Sequence, residues 1–211
     1  MLRDKLKEQL LFYRQVLRAT GEVGAFSATT RAVAEAVAAP IRRGAHPLRV
    51  LEVGAGTGSL TEAVFERLGP QDQLDLVEIN PAFAEHLRRT YVGAPGGPQV
   101  RVLTQDVEAL DPQARWDVIV SSLPLLNMPP DKVERVFQLY LERLAPGGQL
   151  VYYDYWAKEL RSLVWPEKRE RRRMERVLRV TRRFRERHEV RRKLVLLNFP
   201  PAWVHYLQPA G

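Results

Sequence analysis

The decapeptide LEVGAGTGSL, Leu51 to Leu60, sets Glu52 just ahead of three glycines, Gly54, Gly56 and Gly58. Without a Cβ, glycine lets the backbone approach a ligand that a side chain would block. A glycine triplet between an apolar strand and a helix is shared by nicotinamide, flavin and methionine-derived cofactors. The spacing GxGxG behind an acid favours S-adenosylmethionine, whose amino group and sulfonium are cationic and suit a nearby carboxylate. Two further acids recur at the same structural point. Glu78 ends the second strand, within DLVEIN, where its carboxylate can accept the two ribose hydroxyls, with Ile79 beside it. Asp106 in TQDVEAL is placed to accept from the adenine amine, while Val107 offers a backbone donor. Ser121, closing the fourth apolar run, completes the expected cofactor set.

These groups need a scaffold that brings several strand ends together. The apolar runs Leu48 to Val53, Gln73 to Glu78, Val100 to Thr104, Asp117 to Ser121 and Gln149 to Tyr153 alternate with helical patterns at Leu60 to Leu68, Pro81 to Tyr91 and Lys132 to Leu144. That alternation predicts a parallel sheet covered on both faces. Val190 to Leu197 and Trp203 to Leu207 then predict an antiparallel hairpin bent at Pro200 and Pro201. Ahead of the sheet, Leu2, Leu6, Leu10, Tyr13 and Leu17 fall on one stripe of an amphipathic helix from Leu2 to Arg18. A second helix passes through Val33 and Val37 to about Ala39, where Pro40 ends it. The division expected is residues 1–40 as N-terminal helices serving as a membrane contact or lid, and 41–211 as the catalytic domain with a basic helical insertion at 161–193.

The chain of 211 residues is 45% hydrophobic and 27% charged, enough for one domain with a buried core. It has no cysteine, which excludes disulfides, thiolate metal ligands and a cysteine nucleophile; no metal site is expected. With no spanning run and no secretory leader, a cytoplasmic location is expected. The net charge of +8 is unevenly spread. Between Arg161 and Lys193 stand 15 Lys and Arg against 5 Asp and Glu. Such a segment seeks phosphate, in anionic lipid or in nucleic acid. Arg169, Arg172, Arg176, Arg179 and Arg183 form a stripe opposite Met174, Val177, Leu178 and Thr181.

The acceptor side is addressed by VSSLPLLNMPP after the fourth strand. Enzymes that methylate nucleobase amines carry an Asn-Pro-Pro-Tyr type motif here, whose ring stacks on the base at about 1 to 3 kcal/mol. Here the corresponding residues are Ser122, Leu123, Pro124 and Leu125, without a ring. From Leu123 to Pro129 the chain resembles the bacterial phospholipid N-methyltransferase family, the branch similar to rRNA adenine dimethylases, whose pattern is GLPLLNFP. Asn198, Phe199, Pro200, Pro201 and Ala202 match that family's Asn-Leu-Pro-Pro-Ala with one change. Tyr153, Asp154 and Tyr155 stand where it has Phe-Thr-Tyr, and GAFSATTRAVAEAV resembles its Pro-Ser-Ser segment.

The resemblance implies a class I methyltransferase (Rossmann-like) doubly wound sheet of five parallel strands closed by the C-terminal hairpin. It also implies an S-adenosylmethionine-dependent N-methyltransferase acting on the headgroup amine of phosphatidylethanolamine, peripheral on the inner face of the plasma membrane. The expected partners are an anionic membrane surface and the aminophospholipid; the alternatives are an ornithine lipid or an rRNA adenine. Tyr13, Tyr153 and Tyr155 are candidates for stabilising methylated ammonium products through their ring faces, worth about 0.5 to 2 kcal/mol. Ser122 and Asn198 join them as catalytic candidates, and Asp154 as a base, a counter-charge or a structural group.

Overall fold

The computed structural model describes residues 31–42, 44, 46–155, 168–198 and 200–209. Its elements in order are α1 (Arg31–Ala38), β1 (Arg49–Val53), α2 (Thr61–Phe65), β2 (Gln73–Val77), α3 (Pro81–Tyr91), β3 (Gln99–Leu103), β4 (Trp116–Ser121), α4 (Pro130–Arg143), β5 (Leu144–Tyr155), α5 (Lys168–His188), β6 (Glu189–Val195) and β7 (Ala202–Leu207). Short 3-10 turns occupy Val107–Ala109 and Leu125–Asn127. The sheet order is β3-β2-β1-β4-β5-β7-β6. Strands β1 to β5 run parallel, and β7 pairs antiparallel with both β5 and β6. The expected hairpin therefore forms with its second strand inside, so β6 is the outer edge and runs parallel to the first five.

Strand residues alternate between two packed layers. Val50, Leu74, Leu76, Val118, Val120 and Val151 pack with α1, α2 and α3 on one face. Leu51, Val53, Ile119, Leu150 and Tyr152 pack with α4 and α5 on the other. Both faces being covered explains why the strands read as apolar runs. On the second face Phe137 meets Tyr152 edge-on at 5.2 Å and Phe184 at 5.1 Å, which joins α4 and α5 to β5. Removing a buried phenyl of this kind costs about 3 to 5 kcal/mol.

Helix ends follow local chemistry. Asn80 caps α3 by accepting from the Ala82 N–H at 2.9 Å, and Pro81 fills its first position. The helix expected over Leu60 to Leu68 is regular only over Thr61–Phe65. Beyond it the N–H groups of Arg67 and Leu68 bond three residues back, to Val64 and Phe65, so the chain tightens before Gly69 and Pro70.

The expected boundary at residue 40 does not hold. Val33, Ala34, Ala36, Val37 and Ala38 of α1 are buried, and the Tyr206 hydroxyl donates to the Ala36 carbonyl at 2.7 Å. Helix α1 belongs to the body of the domain, while the expected helix at Leu2 to Arg18 lies outside the described residues. Nor is the basic segment an insertion. Helix α5 is the crossover from β5 to β6, with Met174, Val177, Val180 and Thr181 buried. No helix among the described residues is long and apolar enough to cross a membrane.

Candidate cofactor and acceptor site

Strands β1 and β4 lie side by side, with β2 and β3 continuing to one side and β5 to the other. The chain thus reverses its order between β1 and β4, which opens a crevice at their carboxyl ends. Gly54, Gly56 and Gly58 make the turn there with φ of 78°, 58° and 89°, a conformation costly for residues with a Cβ. Two of the glycines also admit close neighbours. A Cβ on Gly54 would lie 3.1 Å from Leu123 Cδ2, and one on Gly58 would lie 3.1 Å from the Tyr91 hydroxyl. A Cβ on Gly56 would meet nothing nearer than 3.8 Å, so the turn faces open space at that point.

Glu52 is fully buried, and neither of its oxygens has a formed hydrogen bond among the described residues. Burial pushes its carboxyl up to about 8; the Thr61 hydroxyl opposes this, and the charge of Glu78 adds to it. A buried acid left waiting for a partner is costly, and a cationic amino group entering the crevice would relieve it. Glu78 is buried as well. Its Oε2 accepts from the Gly56 N–H at 2.9 Å and its Oε1 from the Asn80 N–H at 2.8 Å. The carboxylate thus holds the glycine turn, and its remaining lone pairs can still accept ribose hydroxyls. Ile79 follows it, half-buried.

Asp106 caps the turn at Val107 by accepting from the Glu108 N–H at 3.0 Å, and it also pairs with Lys132 of α4. Burial alone would raise its carboxyl, but the Glu108 N–H and Lys132 together hold it below the ordinary carboxylate range. An adenine amine would therefore share a carboxylate already engaged at both oxygens. Ser121 does not reach the crevice with its side chain. It is buried, with its hydroxyl 3.0 Å from that of Tyr140 on α4, so its side chain is spent inside the core.

The acceptor candidates divide in the same way. Ser122 donates its hydroxyl to the carbonyls of Gly54 at 2.7 Å and Val53 at 3.2 Å, which makes it a brace of the glycine turn. Tyr153 and Tyr155 meet edge-on at 6.1 Å near the end of β5, and burial followed by Tyr153 pushes the Tyr155 hydroxyl up to about 12. Asn198 is buried in the β6–β7 turn, where its amide donates to the Pro200 carbonyl at 2.7 Å. That turn stands at the same carboxyl edge, since Ala202 pairs with Tyr155. Tyr13 lies outside the described residues. Asp154 sits beneath α5 with Arg185 at 3.4 Å and His205 at 3.3 Å, which gives it the structural role of the three considered.

Three residues of the site, Thr61, Lys132 and Arg173, were not legible from motifs, nor was the packing of a fourth, Leu123. Thr61 lies beside Glu52, Lys132 pairs with Asp106, and Leu123 packs over Gly54. Arg173 of α5 donates to the carbonyls of Leu126 at 2.6 Å and Met128 at 3.1 Å, clamping the loop after β4. Leu123 stood within a motif and Thr61 just beyond one, while Lys132 and Arg173 are met through contacts distant in sequence.

The Methyltransferase domain family (Methyltransf_25) matches residues 50–148. An ornithine lipid N-methyltransferase of Singulisphaera acidiphila is 31% identical over 103 residues, 47% of this chain and 53% of that protein. A tRNA1(Val) (adenine(37)-N6)-methyltransferase of Yersinia pestis is 32% identical over 81 residues, 37% of this chain and 33% of that protein. The chain thus spans about half of the first relative and a third of the second. An S-adenosylmethionine-dependent methyltransferase structure from Clostridium acetobutylicum superimposes with a TM-score of 0.62 at 10% identity, covering 94% of this chain and 99% of that one. The chain has the class I methyltransferase fold, residues 50–148 are similar to the methyltransferase domain family, and the open glycine turn and the waiting acid at Glu52 fit S-adenosylmethionine.

Proposed function

We propose that this chain is an N-methyltransferase whose acceptor is the headgroup amine of a membrane aminolipid. The observation that carries this reading is the loop after β4. Leu123 Cδ2 crowds the Gly54 turn, and Leu125, Leu126 and Met128 pack on the second core layer. The loop thus meets an acceptor with aliphatic groups rather than with a ring for stacking. An ammonium entering such a pocket has its pKa lowered, because burial disfavours the charged form, and the neutral amine is the nucleophile. Tyr153 and Tyr155 would present ring faces to the methylated cation.

S-adenosylmethionine, when bound, supplies a methyl group on a sulfonium. Glu52 would hold its cationic amino group, Glu78 and Ile79 its ribose side, and Asp106 with Val107 its adenine. Ser122 keeps the glycine turn in register, and Arg173 keeps the acceptor loop seated. Positioning of this kind carries most of the catalysis of a direct displacement.

Two acceptors fall in the proposed class, phosphatidylethanolamine from the sequence resemblance and ornithine lipid from the Singulisphaera relative. RNA adenine is the competing reading, favoured by the exposed arginines of α5. Protein and labelled S-adenosylmethionine are incubated in parallel with phosphatidylethanolamine vesicles, ornithine lipid vesicles and RNA. Label is expected in one of the lipids; label confined to RNA would overturn the lipid reading.

A further inference from the structure

The β6–β7 turn carries Leu196 and Leu197 in succession, 71% and 84% exposed, between the sheet edge and buried Asn198. Turns are ordinarily built of Gly, Asn, Asp, Ser and Pro, and the two leucines at this one bury little of their surface among the described residues. Their position is informative. β6 runs parallel to β1–β5 and ends at Val195, so the pair projects from the carboxyl edge, which also holds the glycine turn and the acceptor loop. Ala202, at the other end of the turn, pairs with Tyr155. Strands are about 4.8 Å apart, so the turn stands roughly 10 Å to the side of the acceptor end of β5.

Helix α5 begins at this same edge and ends at the opposite one, where β6 starts. With a rise of about 1.5 Å per residue, Arg169 and Arg172 lie within roughly 6 Å of its start. Arg179 and Arg183 lie roughly 16 to 22 Å from that start. All four are exposed. Exposed charges are largely screened beyond about 8 to 10 Å at physiological salt, so a surface facing the carboxyl edge feels the first pair far more than the second.

Resting on the lipid reading above, we infer that the carboxyl edge is the membrane-facing surface, with Leu196 and Leu197 inserting among the lipids and Arg169 and Arg172 contacting anionic headgroups. The arginine stripe then stands upright against the bilayer rather than flat on it. This orientation holds the acceptor loop at headgroup level, so a lipid amine reaches the crevice without leaving the membrane. The charge sign favours an anionic surface, and the adjacent leucines favour an apolar interior behind it.

The chain has no cysteine, so Leu197→Cys accepts a single environment-sensitive dye on the full-length protein. With vesicles of phosphatidylethanolamine and phosphatidylglycerol, the dye is expected to shift to the blue and to be quenched by shallow spin-labelled lipids. The same dye at Arg179→Cys should stay in water. Leu196→Ser with Leu197→Ser should lower vesicle partition at least about tenfold with cofactor affinity and melting temperature unchanged. Arg169→Gln with Arg172→Gln should weaken binding more than Arg179→Gln with Arg183→Gln. A Leu197 dye that stays wet while the protein co-sediments and methylates lipid overturns the orientation and leaves the lipid reading standing. A dye shielded before vesicles are added, in a protein that sediments as a dimer, assigns the turn to self-association instead. Absence of both co-sedimentation and lipid methylation overturns the two readings together.

Discussion

Replacing Glu52 with glutamine separates stability from cofactor binding in one variant. The native carboxyl is pushed from its ordinary 4.5 up to about 8, chiefly by burial. Because the folded value is the higher one, the native state keeps a proton that the unfolded chain loses. Stability from this group is therefore fully present below pH 4.5 and declines as pH rises towards 8. The slope is about 1.4 kcal/mol per pH unit, which makes the loss at pH 7 about 3 kcal/mol. Glutamine keeps the shape and does not ionise. Glu52→Gln is thus expected to be more stable than wild type by up to about 3 kcal/mol at pH 7, on the order of 5 to 10 °C in melting temperature. At pH 4.5 the two should agree within about 1 kcal/mol. Cofactor affinity should move the other way, falling at least about tenfold, since a charge-assisted bond of about 1.5 to 3 kcal/mol is lost. Thermal melts from pH 4.5 to 8, with calorimetric titration of S-adenosylmethionine at pH 7, measure both. A variant destabilised at pH 7, or one that binds the cofactor as wild type does, would refute the assignment of Glu52 as the waiting counter-charge.

Ser122→Ala removes the hydroxyl that braces the Gly54 carbonyl. It should weaken cofactor binding by roughly three- to tenfold, about the worth of one net hydrogen bond, with less than about 1.5 kcal/mol lost in denaturant titration. Arg173→Met releases the Leu126 and Met128 carbonyls from α5. It should lower methylation of the amine acceptor several-fold while calorimetry finds cofactor affinity unchanged, and equal losses in both would mean that the clamp serves the whole domain.

Much of the cofactor half was legible because its chemistry is local. A glycine turn must follow its strand directly, and Glu52, Gly54, Gly56 and Gly58 occupy one decapeptide that does so in the structure. Which way the Ser121 side chain turns is something that sequence period cannot supply. Ser121 is the last residue of β4 and Ser122 the next one along, so one side chain meets Tyr140 and the other Gly54. The side chain of Asp106 was assigned to a ligand, while its Lys132 partner stands 26 residues away, in the first turn of a helix packed beside it. The basic segment 161–193 reads as an insertion because charge dominates its composition. Its buried Met174, Val177, Val180 and Thr181 make it a structural wall of the domain.

By itself the sequence determined the alternation of strands and helices, the cofactor turn and the acid that precedes it. Each is set by the periodicity and stereochemistry of contiguous residues. Only the tertiary structure decided that β7 inserts between β5 and β6, that α1 belongs to the core, and that Leu196 and Leu197 share an edge with the glycine turn. Those outcomes depend on which apolar faces find each other across many tens of residues. They also depend on strand order, which no local pattern encodes.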